Sequence, residues 1–325
     1  VWTIPLAGVA QFALLWVAVR RAGFSIVPRR PKLTPEMRNL VRVAIPAALA
    51  GGVVQVNLLV GQQVASYFDR AVGWLFAADR LYQLPLGVVG IAIGVVLLPD
   101  LSRRLKAQDE TGAKTALSRA GELALALTIP SAVALVVIPV PLVSVLFERG
   151  ATTASDSAAI AVAVAIYGLG LPAFVLQKIL QPIFFAREDT KRPFQYALVS
   201  MVINAVLAIG LAPMIGWIAP AIATTVAAWA MVFLLQRGAK TYGDVAAFDA
   251  RFKERIWRIV AAAVAMGIVL WFGASVLSTA LALPWWRVMA LAALVLLGMA
   301  SYFVAGQFLG AFRWAEFKTS LRRSG

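Results

Sequence analysis

Apolar residues along this chain gather into long runs divided by short polar connections, and neither the strict alternation of strands nor the narrow apolar stripe of soluble helices dominates. A helix needs about 20 mostly apolar residues to cross a bilayer core. By that measure the sequence predicts nine spanning helices, near 1–19, 43–67, 74–98, 122–147, 157–186, 194–213, 216–236, 257–279 and 285–310. The expected fold is therefore an all-α polytopic membrane protein. The run "RAGELALALTIPSAVALVVIPVPLVSVLF" exceeds one membrane thickness and carries Pro130, Pro139 and Pro141, so it predicts a bent or broken helix with a short separate outer piece. Residues 20–35 read as a Pro-rich cytoplasmic linker, leading into a helix capped by Thr34 with Pro35 at its first position. The stretch "SRRLKAQDETGAKTALSRAGE" predicts a helix at the membrane surface whose basic residues meet anionic headgroups. The opening "VWTIPLAGVAQFALLWVAVRR" lacks both Met and the basic n-region of a signal peptide, so the chain is expected to begin in mid-protein.

Composition sharpens this picture. Of 325 residues, 61% are hydrophobic and only 14% charged, where soluble domains carry roughly 25%. Cysteine and histidine are absent, which removes disulfides, thiolate nucleophiles, Cys/His metal sites and imidazole acid–base chemistry. The net charge of +15 would suit nucleic acid, but its distribution excludes that need. Alternate connections are rich in Lys and Arg: the loop after the first span, the loops around 103–119, 187–192 and 237–258, and the tail hold 25 of the 30 basic residues. Positive-inside bias then puts those loops in the cytoplasm, with Val1 at the outer face and the C-terminus inside. Arg70, Arg149 and Arg287 sit at the outer edge, so only Arg80 and Lys178 remain within spans.

Arg80 lies about eight residues inside its span, roughly 12 Å deep at 1.5 Å per residue. Two readings stand. It either snorkels outward or pairs with Asp79 or Asp69, or it faces a water-filled cavity and binds an anion, as intramembrane ionisable residues commonly do. Phosphate suits the second reading, because a guanidinium stays charged and binds oxyanions with two parallel hydrogen bonds. Asp79, about 100° round the helix, would orient or neutralise Arg80. Lys178, nine residues before Arg187, either snorkels inward or adds a second cation in the inner half of the same cavity. Gln55, Gln62 and Ser66 share one helical face, with Asn57 and Gln63 pointing elsewhere. Such a stripe serves interhelical hydrogen bonding or lines a substrate path, and the same choice applies to Asn204, Thr224 and Thr225. Gly87, Gly90 and Gly94 permit close helix approach, and Pro85 with Gly87 marks a possible hinge just after Arg80. No Gly-rich phosphate loop, carboxylate dyad in a span or metal-spaced cluster occurs in the sequence, so no cofactor or metal is expected.

The stretch "WLFAADRLYQLPLGVVGIAIGVVLLPDLSRRL" is similar to the signature of the lipid II flippases (MurJ, also called MviN), in which an aromatic-rich "ADR" precedes a "P.GV.G.A.G...LP.LS" pattern in the eighth transmembrane helix. The segments "TIPSAVALVVIPVPLVSVLFERGATTASDS" and "GLPAFVLQKILQPIFFAREDTKRP" extend the resemblance across the chain. It implies membership of the multidrug/oligosaccharidyl-lipid/polysaccharide exporter superfamily, with two six-helix lobes around a central cavity. Residues 1–19 then match the sixth helix, at the end of an N-terminal lobe otherwise missing here; 36–240 form the C-terminal six-helix lobe, and 257–310 two additional helices with a groove for a polyprenyl tail. The resemblance casts Arg80 and Lys178 as cavity cations and the helices before 1–19 as the source of further cavity arginines. Some members are thought to bind sodium through acidic side chains in this lobe; here Asn204 is followed by Ala208, which argues against such a site.

The expected activity is transport of lipid II from the cytoplasmic to the periplasmic leaflet of a bacterial inner membrane, with membrane lipids as further partners and no nucleic acid. A drug or other lipid-linked oligosaccharide exporter of the same superfamily is the nearer alternative, though cationic substrates would favour an acidic cavity. A membrane-embedded transferase is the alternative from another class, with Asp79 as its one strong candidate group. Orientation is open to direct measurement, because a chain without cysteine accepts unique labels. In spheroplasts a membrane-impermeant maleimide should label Ala151→Cys and leave Lys114→Cys unlabelled; the opposite pattern would invert the topology.

Overall fold

The computed structural model describes residues 3–23, 37–38, 52–53, 55–283 and 285–311, and every regular element among them is helical. Two units are separated by their internal contacts, Val1–Leu49 and Ala50–Gly325. The first holds helix α1 (Thr3–Arg21), on which the Arg20 guanidinium lies 5.3 Å from the Trp16 ring. The expected linker, with Thr34 and Pro35, and the tail beyond Ala311 lie outside the described residues.

The second unit runs through α2 (55–65), α3 (Ala71–Lys106), α4 (Glu110–Val137), α5 (Pro139–Phe147), α6 (Ala154–Phe185), α7 (Lys191–Ile215), α8 (Ala219–Ala239), α9 (Ala250–Val276), α10 (Ser278–Ala282) and α11 (Arg287–Phe308). Five described stretches are long and apolar enough to cross a membrane: Glu110–Val137, Ala154–Phe185, Lys191–Gly243, Ala250–Val276 and Arg287–Phe308, the third containing both α7 and α8. The protein is thus all-α and multi-pass. The predicted break falls at Ile138, where φ −123° and ψ 42° end α4 and Pro139 opens α5. Elsewhere prolines are absorbed: α3 runs through Pro85 and Pro99, and α6 through Pro172 and Pro182, without interruption.

The surface helix expected over 102–122 is not a separate element. Its residues extend α3 to Lys106 and begin α4 at Glu110, with only a tight turn between. That turn is held by charge: Asp100 accepts from Arg103 at 2.7 Å and Arg104 at 2.9 Å, while Asp109 caps α4 through the Gly112 N–H at 2.8 Å. Continuing two helices satisfies more backbone groups than a detached helix with two extra ends.

Helix α6 is the centre of the bundle, packed against α3, α4, α5 and α8. Its Leu171, Ile179, Leu180 and Phe184 are fully buried. It begins at a capping box, Thr153 accepting from the Asp156 N–H while Asp156 accepts from the Thr153 N–H. At the other end, the loop after α6 is pinned by Asp189, which accepts from the Tyr242 hydroxyl at 2.6 Å. That hydroxyl, with Arg192 nearby, holds the Asp189 carboxyl below the usual carboxylate range.

Helix α9 joins the bundle through α4, and α11 packs on α9 and touches α5. Hydrocarbon offers little drive for apolar association, so close packing and buried hydrogen bonds matter most. A Cβ on Gly267 would lie 2.7 Å from a Val133 methyl, and one on Gly298 would lie 2.9 Å from Leu270, so both glycines permit contact that a side chain would prevent. The Tyr302 hydroxyl donates to the Ala126 carbonyl at 2.7 Å. Glu122, only 8% exposed, accepts from Arg119 and from Arg255 at 3.3 Å, with Arg251 at 3.7 Å. Removing this shared acceptor should cost about 2 kcal/mol, below the ~3–5 typical of fully buried pairs because Arg119 and Arg251 keep water. Thermal unfolding in detergent should show a clear drop in Tm for Glu122→Ala and a smaller one for Glu122→Gln.

Candidate functional site

Helices α3 and α6 run parallel, and three sets of contacts fix their register. At their first turns Asp156 accepts from Arg70 at 3.1 Å and from the Trp74 indole N–H at 2.9 Å. Midway, Tyr82 lies 5.0 Å from Tyr167 and stacks on Phe174 at 5.2 Å. Further along, the Lys178 stem crosses Gly90, whose absent Cβ would sit 4.0 Å from Lys178 Cγ. A Cβ at Gly90 would make only ordinary van der Waals contact with the lysine stem, and one at Gly87 would meet nothing within 4 Å among the described residues.

Arg80 and Lys178, the two cations expected within spans, stand on this pair of helices, and both are exposed. Among the described residues neither forms an ion pair. The Arg80 guanidinium lies 4.6 Å from the Phe76 ring, a cation–π contact that leaves its N–H groups free to meet an anion. It pairs with neither Asp79 nor Asp69. Arg80 and Gly90 are ten residues apart on α3, so the two cations are offset by about 15 Å along the helix.

Asp79 accepts a hydrogen bond from Gln83 and lines a cavity of about 120 Å³. The polar lining comprises Asn57, Gln62, Asp79, Tyr82, Tyr167 and Thr224. Of the predicted stripe, Gln62 reaches this cavity, Gln55 is exposed, and Ser66 bonds the Gln63 carbonyl at 2.7 Å. None of the three makes an interhelical hydrogen bond among the described residues. That role falls to Asn57, which the helical-face argument pointed elsewhere. Asn57 accepts from Asn204, and Thr224 donates to Asn204 at 3.4 Å, joining α2, α7 and α8. The stripe argument missed Asn57 because α2 touches neighbours on two sides: Val64 meets Ala208 and Ala223, while Ala65 meets the α3–α6 cluster. Thr225 donates to the Ile166 carbonyl at 3.0 Å, which makes it packing glue. Asp156 escaped notice although "TTASD" carries a capping pattern.

The chain is thus a helical membrane protein with two exposed cations on a packed pair of helices, neither of them ion-paired among the described residues. The sequence profile of the family Lipid II flippase MurJ matches residues 1–303. A probable lipid II flippase MurJ from Rhizobium meliloti (strain 1021) is 41% identical over 99% of this chain and 61% of its own length, and one from Rhizobium tropici is 39% identical with the same coverage. The chain belongs to the MurJ family. It spans about three-fifths of the length of these relatives. A solved structure, "Lipid II flippase MurJ, inward closed conformation", superposes with a TM-score of 0.72 at 23% identity, covering 91% of this chain and 59% of that one, and so shares the fold.

The Asn57–Asn204–Thr224 join makes a graded prediction. Asn204→Ala should destabilise the protein by about 1–2 kcal/mol, and Thr224→Val by less, since its bond is long. Unfolding in mixed micelles measures both; an equal effect would contradict Asn204 as the hub.

Proposed function

We propose that the intact protein carries lipid II from the cytoplasmic to the periplasmic leaflet of the bacterial inner membrane by alternating access, and that Arg80 and Lys178 hold its pyrophosphate in turn. The observation that carries this reading is the pair of exposed intramembrane cations, neither of them ion-paired among the described residues. An offset of about 15 Å exceeds one pyrophosphate, so the anion meets the two as successive stations. In this reading residues 36–240 form one lobe, the face of α3 and α6 that bears the cations lines the central cavity, and 257–310 take the polyprenyl tail. Pro85 and Gly87 lie where α3 would flex between states, and Asp79, Gln62, Gln55 and Ser66 supply polar surface near the path.

The energetics have the right sign. Outward movement of an anion across an inside-negative membrane gains about 2.3 kcal/mol per charge per 100 mV, so two phosphate charges supply roughly twice that. Guanidinium chemistry also separates this substrate from cationic drugs, which an exposed arginine repels.

In the full-length parent, Arg80→Ala should lower lipid II translocation at least 10-fold, and Arg80→Lys should retain part of it, because charge persists while the bidentate fork is lost. Translocation in reconstituted vesicles provides the measurement. Normal transport by Arg80→Ala would remove the anion-binding role.

A further inference from the structure

We infer that Asp156 is the positioning residue for Arg80, acting through Trp74 and Arg70 to set the rotation and axial register of α3. This rests on the anion-binding reading of Arg80 proposed above. Arg80 has no polar anchor among the described residues, only the ring of Phe76 beneath it, and Phe76 is itself exposed. Its place in space is therefore inherited from the helix. Asp156 is 6% exposed and accepts from the Thr153 N–H at 2.9 Å, the Thr153 hydroxyl at 2.7 Å, Trp74 at 2.9 Å and Arg70 at 3.1 Å. A carboxylate so fully committed holds one geometry.

Its two partners on α3 act at the point where rotation is decided. Arg70, at φ 61°, is the left-handed residue that closes the turn into α3, and Trp74 lies one turn in. The exposed ion pair with Arg70 adds little by itself. Trp74 is the firmer link, its indole N–H on Asp156 and its ring edge-on to Trp217, 5.0 Å away in the turn between α7 and α8. From Trp74 to Arg80 the helix is continuous for six residues, about 9 Å, and Pro85 comes only afterwards. A rotation at Trp74 thus reaches Arg80 undiminished. With a guanidinium about 8 Å from the helix axis, a 20° turn moves it by about 3 Å, and misplacement by about 1 Å can cost as much as 100-fold in a positioned interaction.

The test is a cycle in the full-length parent reconstituted in vesicles, with translocation followed against lipid II concentration. Asp156→Asn should raise the half-saturating concentration about 10-fold with a smaller change in maximal rate, Asp156→Glu should recover part of the loss, and Trp74→Phe, which removes one hydrogen bond, should give an intermediate rise. In an Arg80→Lys background, Asp156→Asn should add at most about 2-fold, because the fork it positions is already gone. An equal rise in both backgrounds, or no rise with Arg80 intact, overturns the inference while leaving the anion site standing. If Arg80→Ala and Arg80→Lys transport like the parent, the anion site itself fails and the inference falls with it. Should Asp156→Asn be absent from the membrane, the cycle of Trp74→Phe with Arg80→Lys decides by the same criterion.

Discussion

Hydrocarbon offers no hydrogen-bonding partner, and a charged group that enters it is costly unless the protein or water meets it. That constraint sorts the charges of this chain. Asp156 is saturated at one end of α6, Asp189 is pinned at the other, and Glu122 is surrounded where α4 meets α9. Loop cations are gathered on alternate connections. Arg80 and Lys178 are exposed on α3 and α6, each without an acidic partner among the described residues, and on that observation the proposed anion path rests.

The same constraint explains which features were legible from sequence. Spans could be read because twenty apolar residues have few other uses, and the break at Ile138 because three prolines crowd one run. Arg80 and Lys178 emerged by elimination, once each loop had taken its share of charge. Asn57, the Glu122 cluster and the reach of Asp156 to Trp74 did not emerge. Each joins residues 82 to 147 positions apart, or residues whose roles depend on which neighbour a helix face meets. Local periodicity assigns a face but does not name its partner. The helix expected over 102–122 failed for a related reason, since Asp100 and Asp109 decide where α3 ends and α4 begins.

Parallel packing of α3 and α6 sets the axis along which the proposed path would run. One pair of helices carries both cations, and its register is set by a carboxylate at the first turns, an aromatic stack midway and the Lys178 stem beside Gly90 further on. In the proposed path, the spacing of the two cations would thereby be encoded in helix register, with no loop between them.

The join among Asn57, Asn204 and Thr224 has a different consequence. All three groups are neutral, so the seam between α2, α7 and α8 can move through the membrane field without electrical work. Displacement of the α3–α6 face shifts formal charge across that field, whereas displacement of this seam shifts none. Voltage would therefore act on the bundle unevenly, pulling at the cation-bearing face while the amide-stitched side follows as passive mass.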